Sequence, residues 1–130
     1  MTFYETIKFK WNHGLIFLTI DIVYERKRIS VKNCILDTGS ATTAIDINLV
    51  EFDYSKDSTI RRLFGIGGGS QEVVAQKINK IIIDGNELPN IKMEFGDIYE
   101  ELGIQGFIGN DVLRQFKVVI DYSKKEMWLL

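Results

Sequence analysis

The chain has one cysteine, one proline and one histidine, and each scarcity closes off a line of chemistry. A single thiol, Cys34, excludes an intrachain disulfide and any zinc site built on several cysteines. It lies in the apolar run Cys34-Ile35-Leu36, where a thiol packs as a small, inert apolar group. His13 stands in the turn-forming tripeptide Asn12-His13-Gly14, and no G-x-S-x-G elbow supplies the serine an imidazole base would activate. With one histidine and one cysteine, no transition-metal site is expected, and no cofactor. The basic stripe of a nucleic-acid binder is also missing: 16 Lys and Arg are interspersed among 18 Asp and Glu, for a net charge of −2. The most apolar stretch, Leu15 to Val23, is about half the length needed to span a bilayer and contains Thr19 and Asp21. Met1 to Glu5 lacks the basic and apolar regions of a secretory signal. The expectation is a soluble, cytoplasmic protein with neither a membrane nor a nucleic-acid partner.

What is present reads as strands. Hydrophobic residues make up 45% of 130 residues, enough for one core, and residues 1–130 are expected to form a single domain. From Leu15 to Tyr24, Ile16, Leu18, Ile20, Ile22 and Tyr24 recur with period two. A second strand, Ile29 to Leu36, follows the charged turn Glu25-Arg26-Lys27-Arg28. Lys77 to Ile83, the turn Asp84-Gly85-Asn86, and Leu88 to Phe95 read as a hairpin, with Ile91, Met93 and Phe95 facing inward and Asn90, Lys92 and Glu94 outward. Phe116 to Tyr122 and Glu126 to Leu130 form a closing pair, and Phe3, Phe9 and Trp11 alternate as an extra strand would. Helix signals are few: Asn110 or Asp111 could cap one short helix that turns Val112, Leu113 and Phe116 inward, and a turn or two fits 47–52. The fold expected is all-β with one short helix near the C-terminus.

Three motifs carry chemistry. The first is Asp37-Thr38-Gly39-Ser40, directly after the apolar strand end Ile35-Leu36. A fixed tetrapeptide occurs by chance in on the order of one in a thousand chains of this length, and Asp, Gly and Ser all favour plain turns. The second is Phe64-Gly65-Ile66-Gly67-Gly68-Gly69, which is Gly-rich but lacks the G-K-[ST] and long helix of a phosphate-binding loop. The third is Phe107-Ile108-Gly109-Asn110-Asp111-Val112-Leu113.

Together, and in this order, the three resemble the signature, flap tip and pre-helix segment of the retropepsin-like aspartic peptidases, over roughly 16–130. That resemblance implies a closed β-barrel of the acid-protease type, with a flap hairpin and one short C-terminal helix. It further implies a catalytic Asp37, with Thr38 locking two loops across an interface and Gly39 allowing their close approach. By the same resemblance Ser40 would hydrogen-bond the carboxylate, and Gly65, Ile66, Gly67, Gly68 and Gly69 would meet a peptide substrate. Gly109 would permit close packing behind the loop. One Asp-Thr-Gly in 130 residues supplies half of a carboxylate dyad, so a homodimer is implied, with a peptide or protein as substrate. Asn110 departs from the retroviral pattern, which carries Arg there, and Glu126 to Leu130 is the candidate strand for the dimer sheet. Two other readings are a catalytically silent binding or dimerisation module on the same fold, and a two-carboxylate glycosidase.

Overall fold

Alternating apolar residues dictate strands, and the computed structural model, which describes residues 5–64 and 70–130, is built mostly from them. In chain order they are β1 (Ile7–Lys8), β2 (Lys10–Asn12), β3 (Leu15–Tyr24), β4 (Lys27–Leu36), β5 (Ala44–Asp46), β6 (Thr59–Phe64) and β7 (Ser70–Ile83). Then follow β8 (Asn86–Gly96), β9 (Gly106–Ile108), β10 (Val118–Asp121) and β11 (Glu126–Leu129). A 3₁₀ turn at Ile47–Leu49 and two short helices, α1 (Ile98–Leu102) and α2 (Asn110–Leu113), complete the elements. Eight strands make one sheet in the order β2-β3-β4-β9-β5-β8-β7-β6, and an additional β3–β7 pairing closes it into a barrel. A second sheet has the order β1-β11-β10.

The period-two face of β3 is the inner wall. Ile16, Leu18, Ile20, Ile22 and Tyr24 are all buried, and they meet Val31, Ile78, Ile81, Met93 and Phe95 from the neighbouring strands. Met127 and Leu129 of β11 extend the same core. Cys34 is fully buried, and desolvation pushes its thiol pKa up, which suppresses the reactive thiolate. Two buried polar side chains satisfy each other: the Tyr24 hydroxyl donates to Gln76 Oε1 at 2.6 Å, and the Gln76 amide donates to the Asp53 carbonyl at 2.8 Å. The Asp53 N–H closes the triangle by donating to the Tyr24 oxygen at 3.0 Å.

Turn chemistry follows expectation at His13-Gly14, where both residues take positive φ, 52° and 75°, and join β2 to β3. The charged turn after β3 narrows to Glu25-Arg26, because Lys27 and Arg28 already belong to the β4 ladder. Two further expectations change. A second helix, α1, lies between β8 and β9; it ends on Gly103 at φ 72°, and the Asp46 carboxylate accepts from its Tyr99 N–H at 3.2 Å. The N-cap of α2 is Gly109, ahead of both residues expected to cap it. Finally, the strand expected at Glu126 to Leu130 is partly engaged within the chain: β10 pairs along one side, and β1 covers Glu126 and Met127 on the other.

Glu25 and Arg26 sit at φ 50° and 66° without a glycine, a conformation that strains any residue with a Cβ. Arg26→Gly keeps the hydrogen bond from the residue-26 N–H to Asn79 Oδ1 and removes that strain. It should raise unfolding stability by up to about 1 kcal/mol, read from urea midpoints.

Candidate active site

The loop that begins at Asp37 is shaped by an uncommon crossing. β9 lies between β4 and β5, parallel to the first and antiparallel to the second. The chain leaving β4 must therefore pass over the C-terminal end of β9 before it enters β5. Residues 37–43 make that bridge, and their backbone groups are caught by the segment that emerges beneath them. The Asp37 N–H donates to the Ile108 carbonyl at 2.9 Å. The Asn110 and Asp111 N–H groups donate to the carbonyls of Ser40 and Ala41, at 2.8 and 3.2 Å. The Asn110 side-chain amide donates to the Thr38 carbonyl at 2.8 Å.

The far end of the bridge is pinned through Thr43. Its N–H and hydroxyl donate to the two Asp111 carboxylate oxygens, at 3.1 and 2.7 Å, and its hydroxyl oxygen accepts from the Gly109 N–H at 2.9 Å. Thr43 is fully buried, so these bonds are sheltered from competing water. Contact between the two segments leaves no room for a side chain at Gly109. A Cβ there would lie 2.2 Å from the Thr42 carbonyl oxygen and 2.8 Å from that of Ser40.

At the start of the bridge, Asp37 is half-buried while Thr38 and Gly39 are exposed. The Gly39 N–H donates to Asp37 Oδ1 at 3.0 Å, the one donor to that carboxylate among the described residues. Ser40 differs from expectation: its hydroxyl donates to the Thr42 carbonyl at 2.7 Å and so braces the bridge rather than the Asp37 carboxylate. Asn110, where an Arg was the pattern, ties α2 to the loop within one chain. Gly65, Ile66, Gly67, Gly68 and Gly69 lie outside the described residues. Among the described residues no cluster of His, Cys, Asp and Glu could hold a metal ion, and no helix is long and apolar enough to cross a membrane.

One charged group near the loop escaped the sequence reading. Glu94 was assigned to the outward face of β8, yet it is buried, and Arg61 of β6 grips it with two hydrogen bonds of 2.7 Å. A third bond runs from Arg61 Nη2 to Thr42 Oγ1 at 2.8 Å. Burial pushes the Glu94 carboxyl up, but the Arg61 hydrogen bonds, the Thr42 hydroxyl and the charges of Arg61 and Lys92 outweigh it. The pKa ends below the ordinary glutamate value. Alternation along β8 could not reveal this, because the compensating cation comes from a strand more than thirty positions earlier.

With the geometry in hand, the chain can be set beside known proteins. Residues 10–121 match the family model described as retroviral aspartyl protease. The crystal structure of a retropepsin-like aspartic protease from Rickettsia conorii superposes with a TM-score of 0.60. That match covers 99% of this chain and 93% of the other at 22% sequence identity, a likeness of fold. No curated protein matches the sequence.

Two outcomes follow from the site. Gly109→Ala should cost about 1–3 kcal/mol, because its Cβ meets backbone rather than a yielding side chain. Thermal unfolding would reveal it, and an unchanged Tm would contradict the close crossing. For Glu94, a folded pKa held below the ordinary 4.5 means that its contribution is present above pH 4.5 and is lost as pH falls through the lower folded value. Glu94→Gln should therefore flatten the acid limb of the stability–pH curve over that window.

Proposed function

The chain belongs to the retroviral aspartyl protease family, and on that premise we propose that residues 1–130 form one retropepsin-like domain that works as a homodimeric aspartic endopeptidase. The observation that carries this reading is the Asp37 bridge. It presents a half-buried carboxylate, one hydrogen bond from its own loop, and an exposed Thr38-Gly39 beside it, all on a backbone pinned from beneath. Such a loop is rigid enough to hold a carboxylate and open enough to meet another.

Two Asp37 carboxylates related by a two-fold axis, about 3 Å apart, cannot both ionise and so share one proton. The ionised member takes a proton from a bound water, whose oxygen attacks the scissile carbonyl. The protonated member donates to the carbonyl oxygen as it becomes tetrahedral. Collapse of that intermediate breaks the C–N bond, the amine leaves with a proton from the dyad, and the shared proton is restored. Asp37 is the catalytic residue, Gly39 gives the loop its tight turn, and the Thr38 hydroxyl is available to lock the facing loop. Gly65, Ile66, Gly67, Gly68 and Gly69 are the proposed substrate contacts, where small residues let a peptide backbone come close.

Pairing of the strands supports one place for a second copy to dock. β11 is covered along one side by β10 and on the other by β1 at Glu126 and Met127, whereas the outer side of β10 has no strand beside it among the described residues. Val119 on that strand is 36% exposed. Edge-to-edge pairing of two β10 strands about a two-fold axis would join the second sheets of both protomers and is isologous, as a shared dyad requires.

Asp37→Asn tests the reading. Cleavage of a peptide library should fall by about a thousandfold or more while sedimentation still reports a folded dimer. Undiminished cleavage by the variant would remove Asp37 from the chemistry, and a wild-type chain that binds peptides without cutting them would favour a binding module.

A further inference from the structure

Arg61 lies on β6, the outermost strand of the large sheet, whose one neighbour in the strand order is β7. Its guanidinium nonetheless leaves that ladder. Register places Arg61 opposite Val73, Thr59 opposite Ala75, and Ala75 opposite Glu94, so Arg61, Val73, Ala75 and Glu94 share one face. The Arg61 side chain therefore reaches across β7 on that face. Beyond it, Nε and Nη2 meet the two Glu94 carboxylate oxygens, both at 2.7 Å, and Nη2 also reaches Thr42 Oγ1 at 2.8 Å.

This is a built contact rather than a surface pair. The Glu94 side chain is 5% exposed, and a buried carboxylate without its cation would be strongly unfavourable. A planar fork suits a bidentate grip on a carboxylate, which a lysine ammonium cannot reproduce. The third contact has the functional consequence, because Thr42 belongs to the bridge that starts at Asp37. One side chain thus ties an edge strand to the segment leaving the catalytic loop.

We propose, resting on the reading of Asp37 as the site of peptide hydrolysis, that Arg61 is a positioning residue for that reaction. It fixes β6 against Thr42 and thereby sets the spacing over the loop into which an extended substrate must fit. Without it β6 is held by its β7 ladder alone, and an edge strand held on one side opens easily. Substrate binding then pays for re-ordering the strand, which appears in KM rather than in the chemical step.

The test compares Arg61→Met, Arg61→Lys, Glu94→Gln and the double variant Arg61→Met with Glu94→Gln, which removes both charges and leaves no buried ion unpaired. Peptide cleavage is measured per active site titrated, and amide hydrogen exchange of β6 and Thr42 is followed in parallel. In Arg61→Met and in the double variant, KM should rise about tenfold while kcat per active site stays within about twofold. Arg61→Lys should fall between these and wild type. The double variant should be no worse than Arg61→Met, since both substitutions cut the same tie. Faster exchange at β6 and Thr42 should accompany the change. A lower fraction of active protein with unaltered KM, or effects that add in the double variant, would overturn the proposal and leave Arg61 a stabilising residue. Should the wild-type chain fail to cleave peptides, the peptidase reading fails by itself. Exchange then decides the tie: acceleration in Arg61→Met sustains the positioning of β6 on Thr42, and unchanged exchange rejects it.

Discussion

Everything around Asp37 depends on one crossing: a stretch of chain passes over the end of a strand so closely that no side chain fits between them. Gly109 beneath and Thr42 above are in backbone-to-backbone contact, and the space a Cβ would need is taken by a carbonyl. Such proximity is tolerable because the polar groups of both segments answer each other. The carbonyls of Thr38, Ser40 and Ala41 and the Asp37 N–H all find partners in residues 108–111. Thr43 and Asp111 then anchor the exit of the bridge in a buried, fully matched cluster. The loop is therefore ordered by backbone hydrogen bonds, and the Asp37 side chain is left with little structural work.

The same economy explains the ions. Among the described residues, most ion pairs are exposed on both partners and contribute little. Glu94 is different, because its burial makes its cation obligatory and fixes where that cation stands. The cost of a buried charge is accepted at the point where an edge strand, a central strand and the bridge converge. Elsewhere in the barrel the interior is Ile, Val, Leu, Met and Phe, with Tyr24 and Gln76 satisfying each other.

How much of this was legible in the residues depended on the range over which each signal acts. Alternation is a local signal, and β3 begins and ends at Leu15 and Tyr24 as its period indicated. Turn residues are local too, so His13-Gly14 was readable, whereas the glycine behind the loop was expected from the family resemblance alone. α1 was missed although Glu100, Glu101 and Gly103 mark its two ends, because five residues are too few to show a helical period. Glu94 was misplaced because alternation reports which side of a strand a residue takes, not whether that side is later covered. Ser40 was assigned to the carboxylate by likeness, and its hydroxyl turned instead to a carbonyl two residues on, which only coordinates reveal. The pairing of β1 onto Glu126 and Met127 was unreadable for a related reason: strand order within a sheet has no local signature.

That last sheet carries a kinetic consequence. In it Ile7 sits opposite Met127, so its first strand joins the chain's opposite ends across almost the whole sequence. Contacts this distant in sequence are closed late in folding, after the local hairpins have formed. β10 and β11, by contrast, are joined by a short turn, so their hairpin is in place before β1 arrives. The small sheet is thereby completed in two stages, a hairpin first and the far end of the sequence last, and the segment before the barrel is the last to be fastened to it.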